Sequence, residues 1–208
     1  MTGAEPGPDA SEMTAMLDAL VGGRATVGWR PIDAALVADL SDAESAAVER
    51  AVPRRQAEFA TGRSLMRSLL GRDVEILRAA TGAPVLPPDV VGSLAHDRHV
   101  AVGVVAEAAS LRAVGIDVEP VHEIEHRVAE LIVRPDDVTP DALTAFVAKE
   151  AAYKAWSVLG GEMLEHHDVS LIVESGRYWA DLRGELVVNG ELGRAAGRVV
   201  ALVLIPAT

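Results

Sequence analysis

From Val169 onward the chain runs through VSLIVE, RYWADL, GELVVN and GRVVALVLIP, short apolar segments separated by turn residues. Runs this short and this rich in β-branched residues read as strands, so the chain ends in a strand-rich region and an all-helical fold is excluded. Helical signals precede it. The segment 141–159 follows Pro140 and is closed by Gly160 and Gly161, which predicts a helix. Earlier still, Met13, Met16, Leu17, Leu20 and Val21 fall at helical spacing and Gly22-Gly23 stops them, with a strand expected near 25–29. Ser41 and Glu44 form a capping-box pattern opening a helix to about Ala51. Pro53 suits the first turn of another helix, whose apolar face holds Phe59, Met66, Leu69 and Leu70 before Gly71 ends it. Thr81-Gly82-Ala83-Pro84 and Pro87-Pro88 mark a loop, and 99–106 with 111–118 predict a hairpin turning at 107–110. Helices and strands thus occur in both halves. The chain reads as α+β, with a polar tail over 1–12 expected to be disordered, one lobe over 13–110 and a second over 111–208.

Composition narrows the classes. With 208 residues, 50% apolar and 24% charged, a sizeable core is possible. The absence of cysteine removes disulfides, thiolate metal sites and cysteine nucleophiles, and fits a reducing cytoplasm. The N-terminus has neither a basic nor an apolar signal region, and no apolar run is long enough to span a bilayer, so no membrane association is expected. A net charge of −12 argues against nucleic acid as a partner.

All basic residues but two are arginine, and the two lysines, Lys149 and Lys154, stand close together in FVAKEAAYKAW. Arginine is the default cation of this chain. Lysine kept only here suggests that a planar guanidinium cannot do the work. On a helix Phe146, Glu150 and Lys154 share one side and Lys149 and Tyr153 the neighbouring row. The plainer alternative is a surface Glu–Lys pair. In GIDVEP, the two-residue strand period puts Asp117 and Glu119 on one face, where they either converge on a divalent cation or form a solvated strand end before Pro120. Glu150 would extend that carboxylate set. Arg55, Phe59 and Arg63 step along one helical ridge, a spacing that can grip a phosphate dianion, although arginine pairs are frequent here by chance. Ser93 and His96 in GSLAH suit phosphate contacts in a turn beside a strand, or are structural. His122 and His126, and His166 with His167, read as solvated, because no matching third metal ligand stands out.

In order, RRQAEFATGR, GAP, SLAH, GIDVE and FVAKEAAYK resemble the motif set of the Sfp-type 4′-phosphopantetheinyl transferases, including the EntD-like branch. The resemblance spans residues 54–156. It implies two pseudo-twofold-related α+β lobes with the active site at their interface. The implied reaction is that of a holo-[acyl-carrier-protein] synthase: the 4′-phosphopantetheine arm of coenzyme A passes to a serine of an acyl or peptidyl carrier protein. Mg²⁺ is required and 3′,5′-ADP is released. By the same resemblance Asp117, Glu119 and Glu150 hold Mg²⁺, Glu150 is the base towards the carrier serine, and Lys154 contacts the diphosphate. Arg55, Arg63 and His96 belong near the 3′-phosphate with Ser93 beside them, Arg78 near the nucleotide, and Lys149 in the coenzyme A site. A monomer is implied; the absence of cysteine makes the cytoplasm the expected setting, and the acidic net charge makes apolar contacts, rather than a local basic patch, the expected way to dock an acidic carrier. Asp97 and Ala83 depart from the family pattern and bear on the nucleotide contacts. The alternatives are a non-catalytic binding module of the same fold and another Mg²⁺-dependent phosphoryl-transfer enzyme.

Overall fold

The computed structural model describes residues 9–207. Helix α1 (Ala10–Val21) opens on Asp9, whose carboxylate accepts from the N–H groups of Ser11 and Glu12, and closes on Gly22 at φ 53°. That cap draws residues 10–12 into the helix, correcting the tail expected over 1–12; residues 1–8 lie outside the described residues. After β1 (Thr26–Pro31) comes α2 (Asp42–Val48), with both arms of the Ser41–Glu44 capping box formed. Glu44 does more than cap. It is fully buried, accepts from the Ile76 N–H at 2.9 Å and pairs with Arg67. The long helix α3 (Pro53–Leu70) follows, then β2 (Val90–His96) and β3 (Val100–Glu107).

The first sheet is antiparallel, in the order β1-β3-β2. Its central strand has a partner on both edges, so the strand β4 (Leu111–Pro120) that comes next cannot turn back onto it. The hairpin expected around 107–110 therefore does not form. Instead β4 joins a second antiparallel sheet, order β4-β8-β7-β6-β5, with β5 (Val169–Glu174), β6 (Arg177–Leu182), β7 (Leu186–Ala195) and β8 (Arg198–Pro206). Between β4 and β5 lie a short helix α4 (His126–Ile132), which the sequence did not signal, and α5 (Ala142–Val158).

Alternation along β4 explains how the layers stack. Val114, Ile116 and Val118 face an apolar core shared with α1, β3 and β8, while Ala113 faces a second core built on α5. Gly115 lies on that α5 side. A Cβ there would stand 2.0 Å from the Ala151 carbonyl oxygen and 2.9 Å from the Ala155 nitrogen, so α5 packs directly on β4 only because residue 115 has no side chain. The sheets meet along β2 and β4, where the Ile116 N–H donates to Ser93 Oγ at 3.1 Å. Helices α3 and α5 flank this seam on one side, and α1 fills the other.

Candidate active site at the seam

A cavity of about 260 Å³ opens between the two helices. Its walls are Arg55, Phe59 and Arg63 of α3, Arg78 with the 81–84 turn, Leu94 and His96 of β2, and Glu150, Tyr153 and Lys154 of α5. Helical spacing delivers the α3 and α5 groups, and the strand period delivers Leu94 and His96 on one face.

One end of the cavity is basic, and two of its cations, Arg55 and Arg63, are already engaged. Arg55 bonds the His96 imidazole and reaches Glu58 Oε2 at 3.3 Å; Glu58 is buried and also takes Arg54 at 3.0 Å. Glu58 is a site residue the sequence signals only by its spacing of three and four from the two arginines. Burial and the neighbouring Arg55 push the His96 imidazole below its usual range, which favours the neutral ring. Arg63 is buried, its guanidinium carbon 4.0 Å from the centre of the Phe59 ring. It donates to the carbonyls of Ile76 at 2.6 Å and Leu77 at 3.3 Å, and burial lowers its pKa to about 10. Arg63 therefore also holds the cavity wall. The expected turn at Ser93 and His96 is a strand, and the Ser93 hydroxyl faces the seam, engaged with Ile116.

At the other end Glu150 and Lys154 line the wall, and Lys154 connects it to Asp117, which with Glu119 is not itself part of the wall. The Lys154 ammonium donates to Asp117 Oδ1 at 2.7 Å and Ile116 O at 2.9 Å, and lies 3.5 Å from Leu94 O, so one cation ties both sheets to a carboxylate. Asp117 Oδ2 is buried and has no hydrogen-bond partner among the described residues. Burial pushes the Asp117 carboxyl above the ordinary carboxylate range, against the pull of Lys154. Burial and then the neighbouring Asp117 raise Glu119 to about 7. Glu150 Oε1 stands 3.2 Å from His166 Nε2, and the His166 ring lies against Phe146 with centroids 5.4 Å apart. His166 is thus not the solvated residue expected, whereas His122 and His126 are exposed.

Lys149 requires a correction. Its side chain is 1% exposed and its ammonium is spent on Asp137 Oδ2 at 2.6 Å, Ile132 O at 2.9 Å and His166 O at 3.0 Å. All three partners lie in the second half of the chain, so Lys149 fastens α4, α5 and the 166–168 turn together and does not face the cavity. Asp97 is likewise structural at its contacts: Oδ1 accepts from the N–H groups of His99 and Val100, and Oδ2 from Arg198 Nε at 2.7 Å.

Oxygen donors, an orphaned buried carboxylate oxygen and a neighbouring acid pushed upward suit a hard divalent cation. Among the described residues no three His, Cys, Asp or Glu side chains stand close enough to hold a metal by themselves. Asp117, Glu119 and Glu150 are neighbours without being a preassembled triad, which suits an ion that takes its remaining oxygens from a substrate.

A basic pocket beside a lysine and buried carboxylates suits phosphoryl-group transfer. Residues 43–106 match the 4′-phosphopantetheinyl transferase N-terminal domain. The 4′-phosphopantetheinyl transferase Svp of Streptomyces mobaraensis is 37% identical, the match covering 76% of this chain and 72% of that protein. The 4′-phosphopantetheinyl transferase Npt of Nocardia iowensis is 30% identical over 72% of this chain and 75% of its own, and PptT of Mycobacterium tuberculosis 33% over 64% of each. The chain belongs to the 4′-phosphopantetheinyl transferase family.

Proposed function

We propose that this chain transfers the 4′-phosphopantetheine arm of coenzyme A to a serine of an acyl or peptidyl carrier protein, at the seam between its two sheets, as a holo-[acyl-carrier-protein] synthase. The observation that carries the reading is the meeting, in one cavity, of Arg55, Arg63, Arg78 and His96 with Glu150 and Lys154. The arginine end takes the nucleotide, with Arg55 and His96 on the 3′-phosphate and Arg78 beside the ring. Arg63 lends charge to that end while bracing its wall. Lys154 meets the diphosphate.

Asp117, Glu119 and Glu150 are the residues that would hold Mg²⁺, which supplies positive charge against the diphosphate when bound. The carrier serine attacks the phosphorus bonded to the pantetheine oxygen, its hydroxyl proton passes to Glu150, and the bond to the departing 3′,5′-ADP breaks. Lys154 balances the charge that develops on the departing phosphate. The setting is cytoplasmic and the working unit a monomer of two lobes, 13–110 and 111–208. Among the described residues no helix is long and apolar enough to cross a membrane.

Incubation with coenzyme A, Mg²⁺ and an apo carrier protein, with 3′,5′-ADP followed by chromatography, tests the reading. Release that requires all three is expected. Release without the carrier would indicate a hydrolase, and binding without release a non-catalytic module.

A further inference from the structure

The two ends of the cavity are carried by different sheets, so their separation depends on how the sheets are held. Besides the Ser93 and Lys154 links, one buried ion pair crosses the seam among the described residues. Asp97 and Arg198 are 7% and 6% exposed, with Arg198 Nε 2.7 Å from Asp97 Oδ2.

Each partner is rigidly mounted. Asp97 Oδ1 is fixed by the His99 and Val100 N–H groups at 2.5 and 2.7 Å, and Arg198 Nη1 donates to Ala196 O at 3.2 Å. Each also adjoins a residue of the proposed site, His96 in the cavity wall and Glu119 outside it. Asp97 directly follows His96, while Arg198 lies opposite Pro120 in the β4–β8 register, one residue beyond Glu119. A planar guanidinium on a buried carboxylate fixes direction as well as distance.

We propose that Asp97 and Arg198 are a positioning pair that sets the spacing between the 3′-phosphate end of the site and its carboxylate end. The inference rests on the function proposed above and names neither residue as touching coenzyme A. Its consequence is specific to ligands that engage both ends at once. Coenzyme A does so, whereas dephospho-coenzyme A, lacking the 3′-phosphate, engages the His96 end more weakly. A pair that only stabilised the fold would change both ligands alike, because lost folded protein cancels in the ratio of their affinities.

The test is that ratio, measured by calorimetric titration in the presence of Mg²⁺ for the parent, D97N, R198M and R198K. Asparagine keeps an acceptor for the two N–H groups while removing the charge, and lysine keeps a charge without the fork. The preference for coenzyme A should fall by about tenfold, or about 1.4 kcal/mol, in D97N and R198M. R198K should recover part of it. If D97N does not fold, the comparison of R198M with R198K decides. An unchanged ratio in variants that bind both ligands overturns the positioning role and leaves the proposed function standing. A parent that binds both ligands equally overturns the role together with the 3′-phosphate assignment, and a parent that binds neither overturns the proposed function as well.

Discussion

Lys149 and Lys154 stand five positions apart in one helix and have opposite fates. Lys154 lies at the cavity, about a quarter exposed, and its ammonium answers to both sheets. Lys149 is sealed inside and its bonds are saturated by one carboxylate and two carbonyls. Removing one partner of a buried ion pair typically costs about 3–5 kcal/mol, because the other charge is left uncompensated. K149M should therefore lower the melting temperature markedly while the folded fraction keeps the parental KM for coenzyme A. A raised KM at unchanged stability would return Lys149 to the binding site.

Glu119 titrates out of the ordinary range. Its folded pKa of about 7 exceeds the ordinary 4.5, so the folded state holds that proton more tightly than the unfolded one. Its ionisation therefore destabilises: stability falls as pH rises from about 4.5 to about 7, and the cost is fully present above that. His96, with its lowered pKa, contributes in the opposite sense, so the measurement is a difference between parent and E119Q. In metal-free buffer, E119Q should gain melting temperature over the parent progressively between about pH 5 and pH 8. A difference independent of pH would show that Glu119 titrates normally.

Among the elements, α5 and β4 set the geometry of the acidic end, and their contact is governed by Gly115. A methyl group there collides with backbone atoms of α5, which cannot rotate away as a side chain could. G115A should separate helix from strand, cost at least about 1–3 kcal/mol, and disturb the Lys154–Asp117 contact, so that loss of transfer exceeds loss of folded protein. Activity and circular dichroism on the same preparation check this, and parental behaviour in both would contradict the packing.

Elements of this kind were legible because their signals are local: the capping box, Pro53 and Gly71 around α3, and the turn residues between the last strands. The GIDVE and FxxKEAxxK spacings likewise showed that Asp117 and Glu119 share a face and that Glu150 and Lys154 share a helix side. What was not legible depends on pairing. Nothing in 99–118 shows that β3 has both edges filled and sends β4 to β8, and nothing near Lys149 shows that Asp137 waits for it. Asp97 and Arg198 lie 101 residues apart and meet only when the sheets meet.

As a whole molecule the chain carries a net charge of −12, yet its cavity gathers arginine, histidine and lysine at the place where the sheets join. A net negative charge over the rest of the chain disfavours adventitious polyanions outside that cavity. The seam is held closed through Ser93 with Ile116, Lys154 with Leu94, Ile116 and Asp117, and Asp97 with Arg198, and the proposed reaction would require it to stay so.

Transfer is read most directly from the intact mass of an apo carrier protein after incubation with coenzyme A, Mg²⁺ and either the parent chain or D117N. The parent should add one phosphopantetheine mass to the carrier, at its serine, and folded D117N should add none. A carrier mass unchanged by a folded parent that binds coenzyme A, or full modification by D117N or by the parent in excess EDTA, would contradict the proposed transfer.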